Sequence, residues 1–493
     1  MKQTLTILAA LAGAAVLNAA QVSVTLDEAI RTALENNNAL KISRTEIAIA
    51  RAQYEQAMSA HYPSIDLQAT ALRADEALTF DMRGSAITPA SVVAQQLLGT
   101  AGLIDAALVA QGLLPTATPT AQGMIAGGLV TDQTVPFTGE VTVAGRDTAM
   151  GRLSLLYPIY TGGKISAIVA QAKLGEAVRV EQERRARSQV VFDVKKYYYG
   201  AMLLREIKQL VGDTGERMGF TRDLTESLYK GGSMNVKKTD YLRTKLTVDL
   251  IASMYEEVAL KEQLALSALA NAMGLSWTDT VEISQEHFDA PEMGEPMGAL
   301  VEQAVRFNPQ MATLKLALQV DDARIDEAQS GYLPSLAFNA SVQTLDNDYK
   351  YGMVNEQNKN SWTIGVGMEW NLFNGMRTGA EVEQRRLEKR KHSEQLVLLE
   401  EGTALQMRHA FLALNSSYRQ YGTLSSAAET ASQNRDLNTR AYQEDMVKTE
   451  DVIMSQVMES VTKSNLFAAM HAYAMAKATA DFLAGSAAER AQE

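Results

Sequence analysis

The feature of this sequence that most restricts its fold is a long internal repeat. Leu26–Leu67 aligns without a gap with Met297–Phe338, at an offset of 271 positions. A second block aligns at an offset of 213, where Tyr160–Lys164 matches Phe373–Arg377. Two halves that keep the same order of elements indicate a duplicated chain with internal pseudo-symmetry.

The two offsets also set the expected domain boundaries. The first repeat is expected over 21–290 and the second over 291–485, with a tail over 486–493. Because the offsets differ by 58, the first repeat carries an insertion of that length, expected at about 81–139.

The amino terminus has the pattern of a targeting segment. Lys2 precedes an apolar run, Leu5–Leu17, and the small residues Ala19 and Ala20 follow it. This pattern is typical of a secretory signal peptide, expected over 1–20. No later stretch reaches the roughly 18 uninterrupted apolar residues of a spanning helix. The sequence therefore predicts an exported chain that could cross a membrane only as a β-barrel.

Each repeat contains one very long helix followed by a returning helix. The stretches 164–229 and 377–442 contain no proline, and each would extend about 100 Å as a helix. Their apolar residues recur at alternating spacings of three and four, which predicts a coiled-coil seam. The returning helices are expected at about 237–273 and 450–483. Helices of this length suit a tube or rod better than a compact globular domain.

A pair of strands is expected before each long helix. Apolar and polar residues alternate over about 63–80, 140–160, 334–346 and 361–373. This pattern fits either a sandwich or a membrane β-barrel with a wet lumen. Aromatic residues gather where bilayer meets water, so those near the strand ends favour the barrel: Tyr157, Tyr160, Trp362, Trp370 and Phe373. Since about eight strands are the minimum for such a barrel, several copies would have to share one, and three copies would supply twelve strands.

Composition argues against several other classes of function. A formal net charge of -12 disfavours nucleic-acid binding, and the absence of cysteine excludes disulfides and thiolate metal sites. Gly162–Lys164 lacks the upstream glycine of a phosphate-binding loop and repeats as Gly375–Arg377, so we interpret it as a structural turn. We therefore predict no enzyme activity, no cofactor and no metal site. The 22 methionines are interpreted as packing residues, with a methionine-lined path for metal export as the alternative.

Several motifs recur in the same order in both repeats: Leu26–Asn37, Tyr62–Ser64, Tyr157–Lys164, Gly331–Ser335 and Trp370–Arg377. Together with the duplication, they resemble the TolC family of outer-membrane efflux and secretion channels. The resemblance implies a mainly α homotrimer, in which four strands per chain form a twelve-stranded outer-membrane barrel and the helices form a long periplasmic tunnel.

The same resemblance implies a function and partners. The protein would be the exit duct of a tripartite efflux or type I secretion system in the outer membrane, extending into the periplasm. It would passively export small molecules or polypeptides, delivered by an inner-membrane RND or ABC transporter and a periplasmic adaptor (membrane fusion) protein. Its other contact would be outer-membrane lipid, with no nucleic acid involved. The residues themselves leave a soluble periplasmic coiled-coil adaptor or structural protein as the alternative.

The turns between long and returning helices are the candidate closure site of such a tunnel. The second turn is acidic, with Glu444, Asp445, Glu450 and Asp451. In a trimer, each acid would recur three times, and a ring of carboxylates at a constriction attracts cations. The resemblance puts Asp451 at an acidic pore-lining position and Met454 where the family's next acid stands. The alternative is that these carboxylates favour a helix start through the helix dipole.

Overall fold

The structure is a computed structural model, and it describes residues 21–83, 86–88, 133–135, 138–285, 287–292, 296–347 and 359–485. The chain divides into two compact units. The helical unit comprises the described residues within Met1–Ser59, Gly163–Gly331 and Phe373–Glu493, and the strand unit comprises those within Ala60–Gly162 and Tyr332–Leu372. The predicted signal peptide over 1–20, the tail over 486–493 and most of the insertion lie outside the described residues.

Each repeat contributes four α-helices to the described part of the helical unit. The first repeat supplies α1 (Leu26–Asn36), α2 (Asn38–Ser59), α3 (Lys164–Lys230) and α4 (Lys238–Ala272). The second supplies α5 (Met297–Phe307), α6 (Pro309–Gln329), α7 (Arg377–Gln443) and α8 (Thr449–Leu483). The predicted fold class, mainly α with a strand portion in two duplicated halves, is confirmed. No helix in the described part of the chain combines the length and apolar character of a membrane span.

The core of the first repeat forms along the heptad positions of α3. Val191, Val194 and Tyr198 are buried against α1, α2 and the end of α4. Strand β1 (Gln21–Val24) pairs in parallel with β8 (Thr280–Ile283) and closes this core. In the second repeat, smaller clusters around Met407 and Leu414 pack α7 against α5 and α8.

The strand unit is built on a four-stranded antiparallel sheet. It contains β2 (Ser64–Arg73), β7 (Asp147–Tyr160), β9 (Ser335–Asn347) and β10 (Asn360–Glu369), in the order β10–β9–β7–β2. The β7–β9 pairing joins the two repeats and runs from Thr148 opposite Asn347 to Tyr160 opposite Leu336, with a register shift after Pro158. Within the described residues, β2 and β10 are each paired on one side only.

Two strand boundaries differ from the sequence prediction. The predicted strand over 63–80 stops at Arg73, and the predicted strand over 140–160 is likewise interrupted between Ala144 and Asp147. The ladder resumes between β3 (Leu78–Arg83) and β6 (Thr138–Ala144). A third ladder, between β4 (Ala86–Thr88) and β5 (Gln133–Val135), lies within the predicted insertion. The flanks of the insertion therefore extend the hairpin, because antiparallel pairing continues past the interruption after Arg73.

The second boundary is the end of β10, which was expected at Phe373 and lies at Glu369. Its last partner is Ser335, the first residue of β9. Pro334 comes before Ser335 and has no N–H to donate to a ladder. Trp370 and Phe373 therefore lie beyond the strand on which they were predicted.

Candidate functional site

The two helix–helix turns have the same backbone geometry. In the first, the Ser233 N–H donates to the Leu228 carbonyl at 3.0 Å, and in the second the Met446 N–H donates to the Ala441 carbonyl at 2.8 Å. A hydrogen bond of this kind closes the C-terminal end of a helix when the residue before the donor has a left-handed backbone conformation. Gly232 takes that position with φ 77°, and Asp445 takes it with φ 54°. Asp445 therefore does in the second turn what a glycine does in the first.

All four predicted acids lie exposed around the second turn, and each has its own environment. Glu444 is the residue that ends α7. The Asp445 carboxylate accepts a hydrogen bond from the Ser233 hydroxyl at 3.4 Å, so the two turns touch. Glu450 pairs with Arg243 of α4 at 3.2 Å.

Asp451 takes part in the start of helix α8. Its carboxylate accepts a hydrogen bond from the Lys448 backbone N–H at 3.2 Å. In the first repeat, the Asp240 carboxylate accepts from the Lys237 N–H at 2.8 Å. Such a bond satisfies an N–H group that the helix itself leaves without a partner. The helix-start interpretation of Asp451 thus rests on a contact that both repeats share, and the carboxylate ring stays a prediction.

A buried ion cluster lies two turns further along α8. The Glu459 side chain is 0% exposed and contacts three cations: Lys463 at 2.7 Å, Arg435 of α7 at 2.9 Å and Arg217 of α3 at 3.4 Å. The Ser432 hydroxyl donates a fourth contact at 2.9 Å. Burial alone raises the pKa of Glu459, but hydrogen bonds from Lys463, Arg435 and Ser432 outweigh it and lower that pKa to about 2. Glu459 is therefore ionised at neutral pH and ties three helices together.

Hydroxyl groups form a second inter-repeat contact near the turns. The Tyr442 hydroxyl of α7 lies 2.8 Å from the Thr225 hydroxyl of α3 and 3.0 Å from the Thr449 hydroxyl of α8. The Gln456 amide donates to the Thr221 hydroxyl at 3.0 Å. These groups are buried, so each bond replaces water that the folded chain excludes.

Sequence analysis did not identify either cluster. Lys463 follows Glu459 by four residues, which is a local signal for a helical ion pair. Arg217, however, lies 242 residues from Glu459, and only the packing of α3 against α8 brings the two side chains together.

The predicted interface aromatics occupy varied positions. Trp362 lies on β10 in an exposed apolar row with Ile364, Val366 and Met368. Trp370 donates its indole N–H to the Tyr332 carbonyl at 3.1 Å. The other three are each at least 40% exposed in the single chain: Tyr157, Tyr160 and Phe373. A role for these residues at a bilayer surface stays a prediction.

The described residues contain no group of three or more histidine or acidic side chains arranged to hold a metal ion. Two histidine–carboxylate pairs occur in the part of the chain that the structure describes. His287 lies 2.7 Å from Glu206, and His392 lies 2.5 Å from Asp321. Each histidine ring meets one carboxylate of a neighbouring segment in the fold, so we interpret the pairs as structural contacts.

Comparison with known proteins gives a consistent result. Residues 300–481 match the family model "Outer membrane efflux protein". The outer membrane protein TolC of Salmonella enteritidis is 20% identical over 297 residues, 59% of each chain. The alkaline protease secretion protein AprF of Pseudomonas aeruginosa is 25% identical over 252 residues, 49% of this chain and 50% of AprF. The chain thus spans about half to three-fifths of the length of these relatives.

Solved structures agree over nearly the whole chain. The CmeC outer membrane channel of Campylobacter jejuni gives a TM-score of 0.70 at 16% identity, covering 94% of this chain and 86% of CmeC. The outer membrane protein VceC of Vibrio cholerae gives 0.68 at 14% identity, covering 93% and 96%. At these identities, the likeness shows that the chain shares the fold of these proteins. The TolC-like fold accounts for both the long helical hairpins and the four-stranded sheet.

Proposed function

We propose that this protein is an outer-membrane exit channel for efflux or type I secretion. The observation that carries the proposal is a four-stranded sheet with an exposed apolar row and two half-paired edge strands, in a chain with two helical hairpins about 100 Å long. A soluble protein normally covers such strand edges, because unpaired edges promote association. If an edge strand of one copy pairs with an edge strand of another copy, the backbone N–H and C=O groups of both strands gain hydrogen-bond partners.

The assembly we propose is a homotrimer. Four strands are too few for a membrane barrel, and three copies supply twelve. Strand β10 of one copy would pair with β2 of the next, so that no edge remains. Exposed apolar residues of β2 and β10, such as Leu67 and Val366, would then face outer-membrane lipid.

Two helices of the helical unit offer a second contact surface for this trimer. Helix α4 packs chiefly on α3, and α7 packs chiefly on α8 and α6. Both expose a row of leucines: Leu242, Leu246, Leu250, Leu260 and Leu264 on α4, and Leu398, Leu405, Leu412 and Leu437 on α7. We propose that α4 of one copy packs against α7 of the next, which buries both rows.

The register of this contact follows from the fold. A Cβ at Gly215 of α3 would lie 3.3 Å from Ile251 of α4. These two residues are therefore at the same height along the antiparallel helix pair, which sets its register. In that register Leu242 is level with residue 224 of α3. Residue 224 corresponds to Leu437 of α7 at the repeat offset of 213. Leu242 and Leu437 of adjacent copies are therefore expected to meet.

The proposed partners follow from the family. A periplasmic adaptor and an inner-membrane transporter of the RND or ABC class would deliver the cargo, either small molecules or polypeptides. The channel itself supplies no energy, so transport through it is passive.

The proposed site of selectivity is the acidic second turn, with a ring of three Asp451 carboxylates. Asp451→Ala should change single-channel conductance and weaken block by divalent cations in planar bilayers. Asp240→Ala is the matched control, because it removes the same helix-start bond in the first repeat. If both variants only lower the melting temperature, Asp451 is a helix-start residue and not part of the pore.

The trimer is tested directly, because the chain contains no cysteine of its own. A Leu242→Cys, Leu437→Cys variant should form disulfide-linked oligomers on oxidation, and each single variant should not. The protein should sediment with outer membranes and have three chains per particle in mild detergent. A monomer released by osmotic shock would contradict the channel and favour the soluble adaptor.

A further inference from the structure

The four-stranded sheet of the strand unit separates apolar and polar side chains onto its two faces. One row of residues, paired across all four strands, is apolar and exposed: Leu67, Leu153, Val342 and Trp362. Successive residues of a strand point to opposite faces, so the neighbouring row lies on the other face. That row is polar: Gln68, Arg152, Gln343 and Ser361. Arg152 therefore lies on the face opposite the apolar row.

The Arg152 side chain has few partners. Its Nη2 lies 3.5 Å from the Ser341 Oγ, at the long limit of a hydrogen bond. Within the described residues it takes part in no ion pair, and its Nε is buried without a hydrogen-bond partner. A guanidinium group is always ionised in proteins and has five N–H donors. This side chain therefore keeps an uncompensated charge and donors that the sheet does not use.

Two other cations of the sheet are paired with acids. Arg73 contacts Asp147 at 3.6 Å, and Lys359 contacts Asp346 at 3.0 Å. Arg73 is the last residue of β2 and Lys359 comes just before β10, whereas Arg152 lies inside β7. Arg152 thus differs from both in its position and in its lack of a counter-charge.

The acid Asp66 lies on the same polar face, one row from Arg152. Its partner across the strands is Ser154, whereas the partner of Arg152 on β2 is Gln68. The guanidinium of Arg152 turns towards Ser341 of β9, and β9 and β2 flank β7 on opposite sides. Arg152 therefore extends away from Asp66 and does not pair with it.

We propose that Arg152 is an anion-binding residue of the channel lumen and favours exported molecules that carry a carboxylate, sulfate or phosphate group. The inference rests on the proposed trimeric barrel and adds a substrate class to it. When the apolar face of the sheet meets lipid, the polar face lines the lumen, and three copies contribute three arginines at one level. Arginine binds such anions through two parallel N–H···O bonds. Gln68 and Gln343, on either side in the same row, supply amide donors.

A cysteine reporter beside Arg152 measures this charge directly, because the chain contains no cysteine of its own. Gln343→Cys places a thiol in the same row, opposite Arg152. The protein, reconstituted in lipid vesicles, is treated with an anionic methanethiosulfonate reagent (sulfonatoethyl) and with a cationic one (trimethylammonioethyl). The ratio of the two reaction rates reports the local potential. Ala340→Cys is the control for orientation, since Ala340 lies on the apolar face of the same strand and should react with neither reagent.

Arg152→Gln in the Gln343→Cys protein should lower the ratio of the anionic to the cationic rate by about fivefold. A unit charge about 7 Å away in water changes the local concentration of each monovalent reagent by a factor of about 2 to 3, in opposite directions. The effect should be seen at about 10 mM salt and disappear at about 1 M, where the Debye length falls to about 3 Å. Lys359→Gln removes a cation that is already paired and should leave the ratio unchanged.

Pyrophosphate tests the binding itself. It should slow the reaction of the Gln343→Cys thiol with the anionic reagent while Arg152 is present, and this protection should be lost in the Arg152→Gln protein. Arg152→Lys should keep the rate ratio but give weaker protection, because lysine retains the charge without the two-donor fork.

The outcomes separate this inference from the barrel on which it rests. If Ala340→Cys reacts and Gln343→Cys does not, the two faces are reversed and the proposed barrel is wrong. If Gln343→Cys reacts but the rate ratio and the protection are the same with and without Arg152, the barrel stands and the anion site is wrong. If neither thiol reacts, exported molecules cannot reach this row, which overturns the anion site as well.

Discussion

Glu459→Gln isolates the contribution of the buried ion cluster to stability. The replacement keeps the shape of the side chain and removes its charge. Lys463, Arg435 and Arg217 would then surround a neutral amide at distances of 2.7 to 3.4 Å. Bulk water cannot reach a side chain that is 0% exposed, so Lys463 and Arg217 lose this counter-charge, whereas Arg435 keeps its pair with Asp436 at 2.6 Å.

The magnitude follows from the pKa of the carboxyl group. That pKa is about 2 in the folded chain, against an ordinary value of 4.5. At 1.36 kcal/mol per pKa unit, the ionised form contributes about 3 kcal/mol to folding at neutral pH. Because the pKa is lowered, this stabilisation is complete above about pH 4.5 and is lost as the pH falls towards 2.

The assay is urea-induced loss of helical circular dichroism in mild detergent, measured for both proteins from pH 7 down to pH 2.5. Glu459→Gln should lower the free energy of unfolding by about 3 kcal/mol at pH 7, and the difference should shrink below pH 4.5. Glu257→Gln is the control, because its pair with Lys261 is exposed and should leave the curve unchanged. A loss below about 1 kcal/mol, or a difference independent of pH, would refute the reasoning.

Three further changes have defined outcomes. Gly274→Ala should destabilise the fold by several kcal/mol in the same urea assay, because φ is 73° and the new Cβ would lie 2.5 Å from the Asn36 carbonyl oxygen. Asp445→Gly should stabilise the chain by about 0.5–1 kcal/mol, measured as a higher melting temperature. Asp445 has a left-handed backbone conformation, which glycine adopts without steric strain. Tyr442→Phe should cost about 1–2 kcal/mol in the urea assay, since it leaves the buried Thr225 hydroxyl without this partner.

The long hairpins could be predicted from the sequence because their signals are local. A run of 66 residues without proline permits one helix, and the heptad positions Val194 and Tyr198 are buried as that spacing predicts. The first turn could also be predicted from a local signal, because Gly231 and Gly232 mark the end of the first long helix. The strand pairs could be predicted because apolar and polar residues alternate in the segments before the long helices.

Features that depend on distant partners could not be predicted. The end of β10 is set by Pro334, where its partner strand begins, so alternation alone carried the prediction too far to Phe373. The cluster around Glu459 needs Arg217 from the other repeat. A sequence without aligned relatives shows which residues can form a helix, and not which helices become neighbours.

The duplication provides an internal comparison that points to α8. Helices α4 and α8 match at an offset of 211 from first residue to last. Asp451 has its equivalent in Asp240, and both accept the same helix-start bond. Glu459, by contrast, corresponds to Val248, and Met454 corresponds to Arg243. The repeats thus keep the residues that start the helix and diverge at Glu459, the buried carboxylate that ties α8 to α3 and α7 where α4 has an apolar side chain.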